Sequence, residues 1–184
     1  SSIHMNYDKN KMVTHKINSG NQIPLWIVFE ILSFGKLGDF VKQMNRNYRI
    51  NVLNILGIRD PMDTDGSHLT NHIFILNELR NAIAHNHIIF DTRFKNRHIN
   101  QTLLNDMSIK YNNANIIFNS IVDYFMLIVM YLKAFGYSKT ELRRLIRDFK
   151  QIVDNLNTEI PSSEFNRILG SNIYNKINSI SNYV

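Results

Sequence analysis

The ten residues from Glu78 to His87 join a fixed cation to two imidazoles inside a segment of helical periodicity. At about 100° per residue, Ile75, Leu76, Leu79, Ala82 and Ile83 share one arc of roughly 120°, with Arg80, Asn81, Ala84 and His85 on the opposite side. The polar set should therefore face away from the chain's own core. Asn81 and His85, four residues apart, are neighbours, whereas Arg80 and His85 stand about 140° apart around the axis and would straddle a cleft. Such a set suits cleavage of RNA without a metal. When a 2′-hydroxyl attacks the adjacent phosphorus, the reaction needs a base, an acid and a cation. An imidazole titrates near neutrality and serves as acid or base, while a guanidinium is permanently charged and suits the developing phosphorane. Asn81 could orient His85 or the phosphate. Small Ala82 and Ala84 would let a second copy of this helix approach, bringing two Arg and two His into a composite site. Spacing alone has a plainer reading too, since an Arg followed five residues later by a His is common in helices that do no chemistry.

The elements that must position these residues are helical, because Gly and Pro are sparse and no alternating strand pattern is bounded by turn signals. The fold class is all-α. Pro24 opens a segment, Ile23 to Phe34, that is apolar on nearly every side and belongs in the centre of the fold or in an interface. Glu30 is its only charge; it needs a cationic or hydrogen-bonding partner and is either structural or a candidate auxiliary site residue. Gly35 and Gly38 punctuate. Amphipathic stretches run from Leu37 to Met44 and from Tyr48 to Leu56, followed by a loop, Asp60 to Gly66. The main helix runs from Ser67 to Asn86 with Leu69, Leu76, Leu79 and Ile83 inward and His72 on its surface. A polar connector, Asp91 to Asn113, precedes an apolar helix from Asn115 to Phe135 that Gly136 stops. Ser138 and Glu141 form a capping box, opening a helix whose inward stripe is Leu142, Leu145, Ile146, Phe149, Ile152, Val153 and Leu156. Beyond Pro161 come a short helix to Leu169 and a frayed, Asn-rich tail. No internal repeat is evident.

The 184 residues fit a leader, 1–22, whose first five resemble a cloning scar, and one all-helical domain over 23–184. Twenty-one Lys and Arg against 15 Asp and Glu give a charge of +6, which favours polyanionic partners. With no cysteine, disulfides, thiolate zinc sites and cysteine nucleophiles are excluded, and a cytoplasmic location is the default. The longest apolar run, Tyr124 to Leu132, is about half a membrane span, so no membrane association is expected. Arg93, Lys95, Arg97 and His98 form a basic cluster that either holds an RNA backbone or is a solvated loop. Arg143, Arg144, Arg147 and Lys150 read as a solvated face rather than an RNA track. His87 either assists catalysis or caps a carbonyl. No cofactor is implied, and the His85/His87 pair lacks a carboxylate at a familiar ligand spacing, so no metal is expected there.

Arg80-Asn81-Ala82-Ile83-Ala84-His85 resembles the RNxxAH form of the RxxxxH motif that marks HEPN ribonucleases. Pro24-Leu25-Trp26, with Glu30 and Leu32-Ser33-Phe34-Gly35 following, is similar to the signature of Abi-like abortive-infection proteins of the AbiD and AbiF type. Ala84-His85-Asn86 through Phe90-Asp91-Thr92-Arg93-Phe94 resembles a second segment of the same proteins. Two signatures in the right order are far more specific than one. The resemblance spans about Ile23 to Phe94 and implies a HEPN-type helical bundle that dimerises through the motif helix. It further implies a metal-independent endoribonuclease with Arg80 and His85 catalytic and Asn81 beside them. The expected products carry 2′,3′-cyclic phosphate and 5′-hydroxyl ends. The setting would be antiphage abortive infection or a toxin–antitoxin system, with an inhibitory RNA or protein partner. Members usually carry a longer region before the Pro-Leu-Trp signature, so a short member or a fragment is implied. Some HEPN toxins place a modifiable tyrosine two residues after the histidine; here that position is His87. The competing readings are a catalytically silent HEPN module that binds RNA or a partner protein, and a purely structural dimerisation domain.

Overall fold

The computed structural model describes residues 18–184 except 21, 23, 25, 28, 30, 31, 88, 90–98 and 114. Among the described residues all regular structure is helical: α1 (Phe34–Gln43), α2 (Arg46–Ile55), α3 (Ser67–Ala84), α4 (Gln101–Tyr111), α5 (Ile121–Ala134), α6 (Lys139–Glu159), α7 (Ser162–Leu169) and α8 (Ile173–Tyr183). The all-α class is thus observed. None of the described helices is long and apolar enough to cross a membrane.

The core is built around α5. Val122, Tyr124, Met126, Leu127, Val129 and Met130 are all fully buried, so this helix is covered on nearly every side. Its start departs from expectation: residues 115–120 are non-helical and the helix begins only at Ile121. The cause is Asp123. Its carboxylate accepts the amides of Ile117 and Phe118 at 3.3 and 2.9 Å, which holds the preceding segment in an irregular path. The other carboxylate oxygen accepts Lys176 Nζ at 2.6 Å, and both side chains are sealed from solvent.

That ion pair explains a second departure. The segment expected to be a frayed tail is α8, with Ile173, Ile177 and Ile180 buried against α4, α5 and α6. A third departure is α4, which occupies part of the expected polar connector. Asn100 caps it by accepting the Leu103 amide at 2.9 Å, and Leu103, Met107 and Tyr111 are buried. The Tyr111 hydroxyl donates to the Met126 carbonyl at 2.5 Å.

Elsewhere expectation and structure agree closely. Ser138 and Glu141 form the capping box of α6, and Leu142, Ile146 and Val153 point inward. Ile152 does not: it is 59% exposed, one flank too far round the helix. Arg143, Arg144, Arg147 and Lys150 lie on the exposed side, where Arg144 and Arg147 approach Asp148 and Lys150 pairs with Asp154, as a solvated face would.

α3 leans on α5 through His72, which is completely buried rather than on the helix surface as expected. Its Nδ1 lies 3.0 Å from the Tyr131 hydroxyl. Burial, with help from His68 and Lys110, lowers its pKa to about 3.

Two outcomes follow from these buried groups. Lys176→Met strands the Asp123 carboxylate and should lower the unfolding free energy by roughly 3–5 kcal/mol in urea titrations. For His72, the unfolded imidazole takes up a proton near pH 6.5 while the folded one refuses it until about pH 3. The unfolded state therefore binds more protons across that window, and stability must fall as pH drops through it. Between pH 6.5 and 4.5 His72 should contribute a loss of about 2–3 kcal/mol, and urea titrations of His72→Gln should show a correspondingly flatter acid limb.

Candidate functional site

The C-terminal end of α3 is a backbone device for displaying side chains. His85 is the last residue before the chain leaves the helix. Asn86 then takes a left-handed conformation at φ 52°, which Asn tolerates better than most residues. The His87 amide donates to the Ala82 carbonyl at 2.8 Å and the Asn86 amide to the Ile83 carbonyl at 3.2 Å. This crossed pair is a Schellman motif. It satisfies the helix's last carbonyls with backbone amides, so the imidazoles of His85 and His87 are left outside, their ring centroids 5.8 Å apart. The carbonyl cap at this end is the His87 backbone amide, not its ring.

Arg80, Ala84, His85 and His87 are exposed and Asn81 is half-buried. The Arg80 guanidinium donates to Asn81 Oδ1 at 3.1 Å, so Asn81 steers the cation. Among the described residues no hydrogen bond or ion pair joins Arg80 to His85. The inward side is as expected for Leu79 and Ala82, both buried, but Ile83 is 55% exposed. The arc drawn from the sequence was right in direction and too wide by one residue, because α5 covers one flank of α3 and leaves the other open.

The open flank is an apolar groove. It has a cavity volume near 410 Å³ and is lined by Phe34, Leu76, Leu79, Ile83, Ala84 and Ile128, with Arg80 the one charged lining residue among those described. Phe34 begins α1 and comes from the first signature segment; Ala84, also on the groove, opens the second. The two signatures read in the sequence therefore meet in space, on either side of one groove. What fixes Phe34 there is the contact between α1 and α3. A Cβ placed on Gly38 would sit 2.7 Å from Phe74 Cε1, so the Phe74 ring packs directly on the glycine and any larger residue requires the ring or the helix to shift. Gly35 and Gly38 were expected to punctuate; both lie inside α1, and Gly38 is a packing residue.

Of the remaining candidates, Glu30, Arg93, Lys95, Arg97 and His98 lie outside the described residues. Within the expected helix Ile23 to Phe34, only part is described: Ile27 is buried, while Trp26 and Phe29 are largely exposed. Phe29 meets Phe40 of α1 edge-on at 5.7 Å. The sequence reading missed Phe34 and Ile128 as groove walls, since each is far from the motif along the chain. It also missed a cluster at the other end of α3, comprising Asp60, His68, His72 and Asp106. The i, i+4 pair His68 and His72, closely following Asp60 and Asp63, was the available signal.

An all-helical bundle that exposes an Arg-Asn-His end beside an apolar groove is what the geometry defines. Residues 1–91 match the family model described as Abi-like protein; over that stretch, which takes in α1, α2 and all of α3, the chain is an Abi-like protein. That family is associated with an abortive-infection type of function. No curated protein and no solved structure matches the chain significantly.

Because Gly38 sets the spacing that places Phe34, Gly38→Ala forces α1 and α3 apart or displaces the Phe74 ring. Overpacking of this kind costs about 1–3 kcal/mol. Thermal unfolding of Gly38→Ala should register that loss, whereas Gly35→Ala, whose added Cβ would lie 3.5 Å or more from Asn77, should be much milder.

Proposed function

We propose that this Abi-like chain is a metal-independent endoribonuclease of the RxxxxH, HEPN type that acts in antiphage abortive infection or a toxin–antitoxin system. One observation carries the reading: Arg80, His85 and His87 are exposed at the end of α3, with Asn81 half-buried against Arg80, beside an apolar groove and in a segment within the family match. None of these four side chains is buried in the core, and an exposed cation beside two exposed imidazoles can meet a phosphate.

In the proposed reaction an imidazole removes the proton from a 2′-hydroxyl, and the oxygen attacks the adjacent phosphorus. The bond from phosphorus to the 5′-oxygen breaks, and a second imidazole returns a proton to that oxygen. The products are a 2′,3′-cyclic phosphate and a 5′-hydroxyl. Arg80 neutralises the charge that builds on the non-bridging oxygens, held in direction by Asn81. One chain supplies a single Arg80 and His85 without a direct contact between them, so the reading calls for two copies. A second chain seated on the groove through Ile83, Ala84 and Leu76 would cover apolar surface that is otherwise wet. It would also double the set to two Arg80 and two His85. His87 is an auxiliary acid or base. Arg93, Lys95 and Arg97 would hold flanking phosphates. An inhibitory RNA or protein would keep the enzyme silent in an uninfected cell.

The test is incubation of the purified chain with total cellular RNA in excess EDTA, beside Arg80→Ala and His85→Ala. Wild-type cleavage should persist in EDTA and fall by roughly 100-fold or more in each variant, with far-UV circular dichroism unchanged. Equal activity in His85→Ala would end the proposal. Salt-sensitive RNA binding without new RNA ends would favour instead a catalytically silent module that grips RNA through Arg80.

A further inference from the structure

The opposite end of α3 carries a second constellation, unrelated to the exposed Arg-His end. Asp60 in the loop before α3, His68 in its first turn and Asp106 on α4 are all buried, and each offers a donor atom within 4.8 Å of the other two. Each carboxylate uses one oxygen for structure. Asp60 Oδ1 accepts the Met62 amide at 2.9 Å, and Asp106 Oδ1 accepts from Lys110 Nζ. The other oxygens point elsewhere. Asp60 Oδ2 stops 3.9 Å from His68 Nδ1, beyond hydrogen-bond reach. His68 Nδ1 and Asp106 Oδ2 are buried with no hydrogen-bond partner. His68 is 2% exposed and Asp106 5%.

Unpartnered polar atoms in a sealed interior are costly, and two in one cluster that face a third donor need a common explanation. A cation supplies it. One imidazole nitrogen and two carboxylate oxygens are the donor types that borderline divalent metals take. We propose that Asp60, His68 and Asp106 form a binding site for a divalent transition metal of the zinc class. Bonds of about 2.0–2.2 Å in a tetrahedron place ligand atoms about 3.4 Å apart. Small side-chain rotations close the set around an ion, and water fills the fourth position. Lys110 stays on Asp106 Oδ1 and offsets one carboxylate. Burial pushes the Asp106 carboxyl up against the pull of Lys110, a cost that a metal would reverse.

The site ties three segments together: the loop at Asp60, the start of α3 and the middle of α4. Asp63 already caps that start, accepting the amides of Ser67 and His68 at 2.9 and 3.1 Å. Twelve residues separate His68 from Arg80, roughly 18 Å along the helix. The metal is therefore structural, and a chelator-resistant reaction at Arg80 and His85 is compatible with it.

The experiment uses the full chain, stripped with chelator and then titrated with Zn²⁺. Calorimetry and elemental analysis should give one ion per chain, with a thermal midpoint that rises with Zn²⁺ concentration. Affinity should fall at least 10-fold in His68→Gln and in Asp106→Asn. It should survive in the double variant His85→Ala, His87→Ala, which removes the exposed imidazole pair. Absence of stoichiometric uptake, or uptake lost with His85 and His87 but not with His68, overturns the proposal. Should the buried variants fail to fold, X-ray absorption at the zinc edge of the His85→Ala, His87→Ala chain decides. An imidazole with oxygens around the ion supports the site, and a shell of water alone overturns it.

Discussion

The buried ion pair between Asp123 and Lys176 is the constraint on which the bundle rests. A carboxylate and an ammonium taken out of water repay their desolvation only when geometry and further hydrogen bonds are good. Here Asp123 gains Lys176 and the amides of Ile117 and Phe118 together. That arrangement locks the start of α5, the irregular segment before it and the first turn of α8 into one relation. Ser120 adds a hydrogen bond from its hydroxyl to the Leu169 carbonyl at 2.9 Å, drawing in the end of α7. Once α5 is fixed, Tyr131 near its far end sets where His72, and with it α3, can sit.

α3 then serves two purposes along one axis. Its first half is packed among α1, α2 and α5, with His68, Leu69, Thr70, His72, Ile73 and Ile75 all buried. Its last turns keep Leu79 and Ala82 buried but leave the flank that carries Arg80, Ile83, Ala84 and His85 exposed. A helix clamped at one end and exposed at the other presents its terminal side chains rigidly, which suits chemistry that depends on placing charge against a phosphate. The Schellman closure at Asn86 completes the display by consuming backbone groups that would otherwise compete for the imidazoles.

Much of this was legible in the sequence where local rules decide. The capping box of α6, the start of α3 at Ser67 and the outward turn of Arg80 and His85 all follow from residue type and spacing. What was not legible depended on partners distant in the chain. α8 hid behind its Asn content, although Ile173, Ile177 and Ile180 fall at helical spacing; the buried Lys176 among them makes sense only beside Asp123. α4 hid because its apolar residues form no clean stripe, with Ile109 80% exposed. His72 read as a surface residue because a lone imidazole on a helix gives no sign of which neighbour will enclose it. The groove was beyond reach for the same reason, since Phe34 and Ile128 meet Arg80 only in three dimensions.

The central claim is that the exposed end of α3 drives attack by a 2′-hydroxyl, and that claim can be isolated from every question of partner or trigger. The measurement is cleavage, in EDTA, of an RNA oligonucleotide spanning a mapped cut position. It is paired with the same oligonucleotide carrying a single 2′-deoxy nucleotide on the 5′ side of the cut. The account predicts cleavage of the first with a 2′,3′-cyclic phosphate end and none of the second at that position. Equal cleavage of both would contradict it, because no in-line attack from the neighbouring sugar would then be possible.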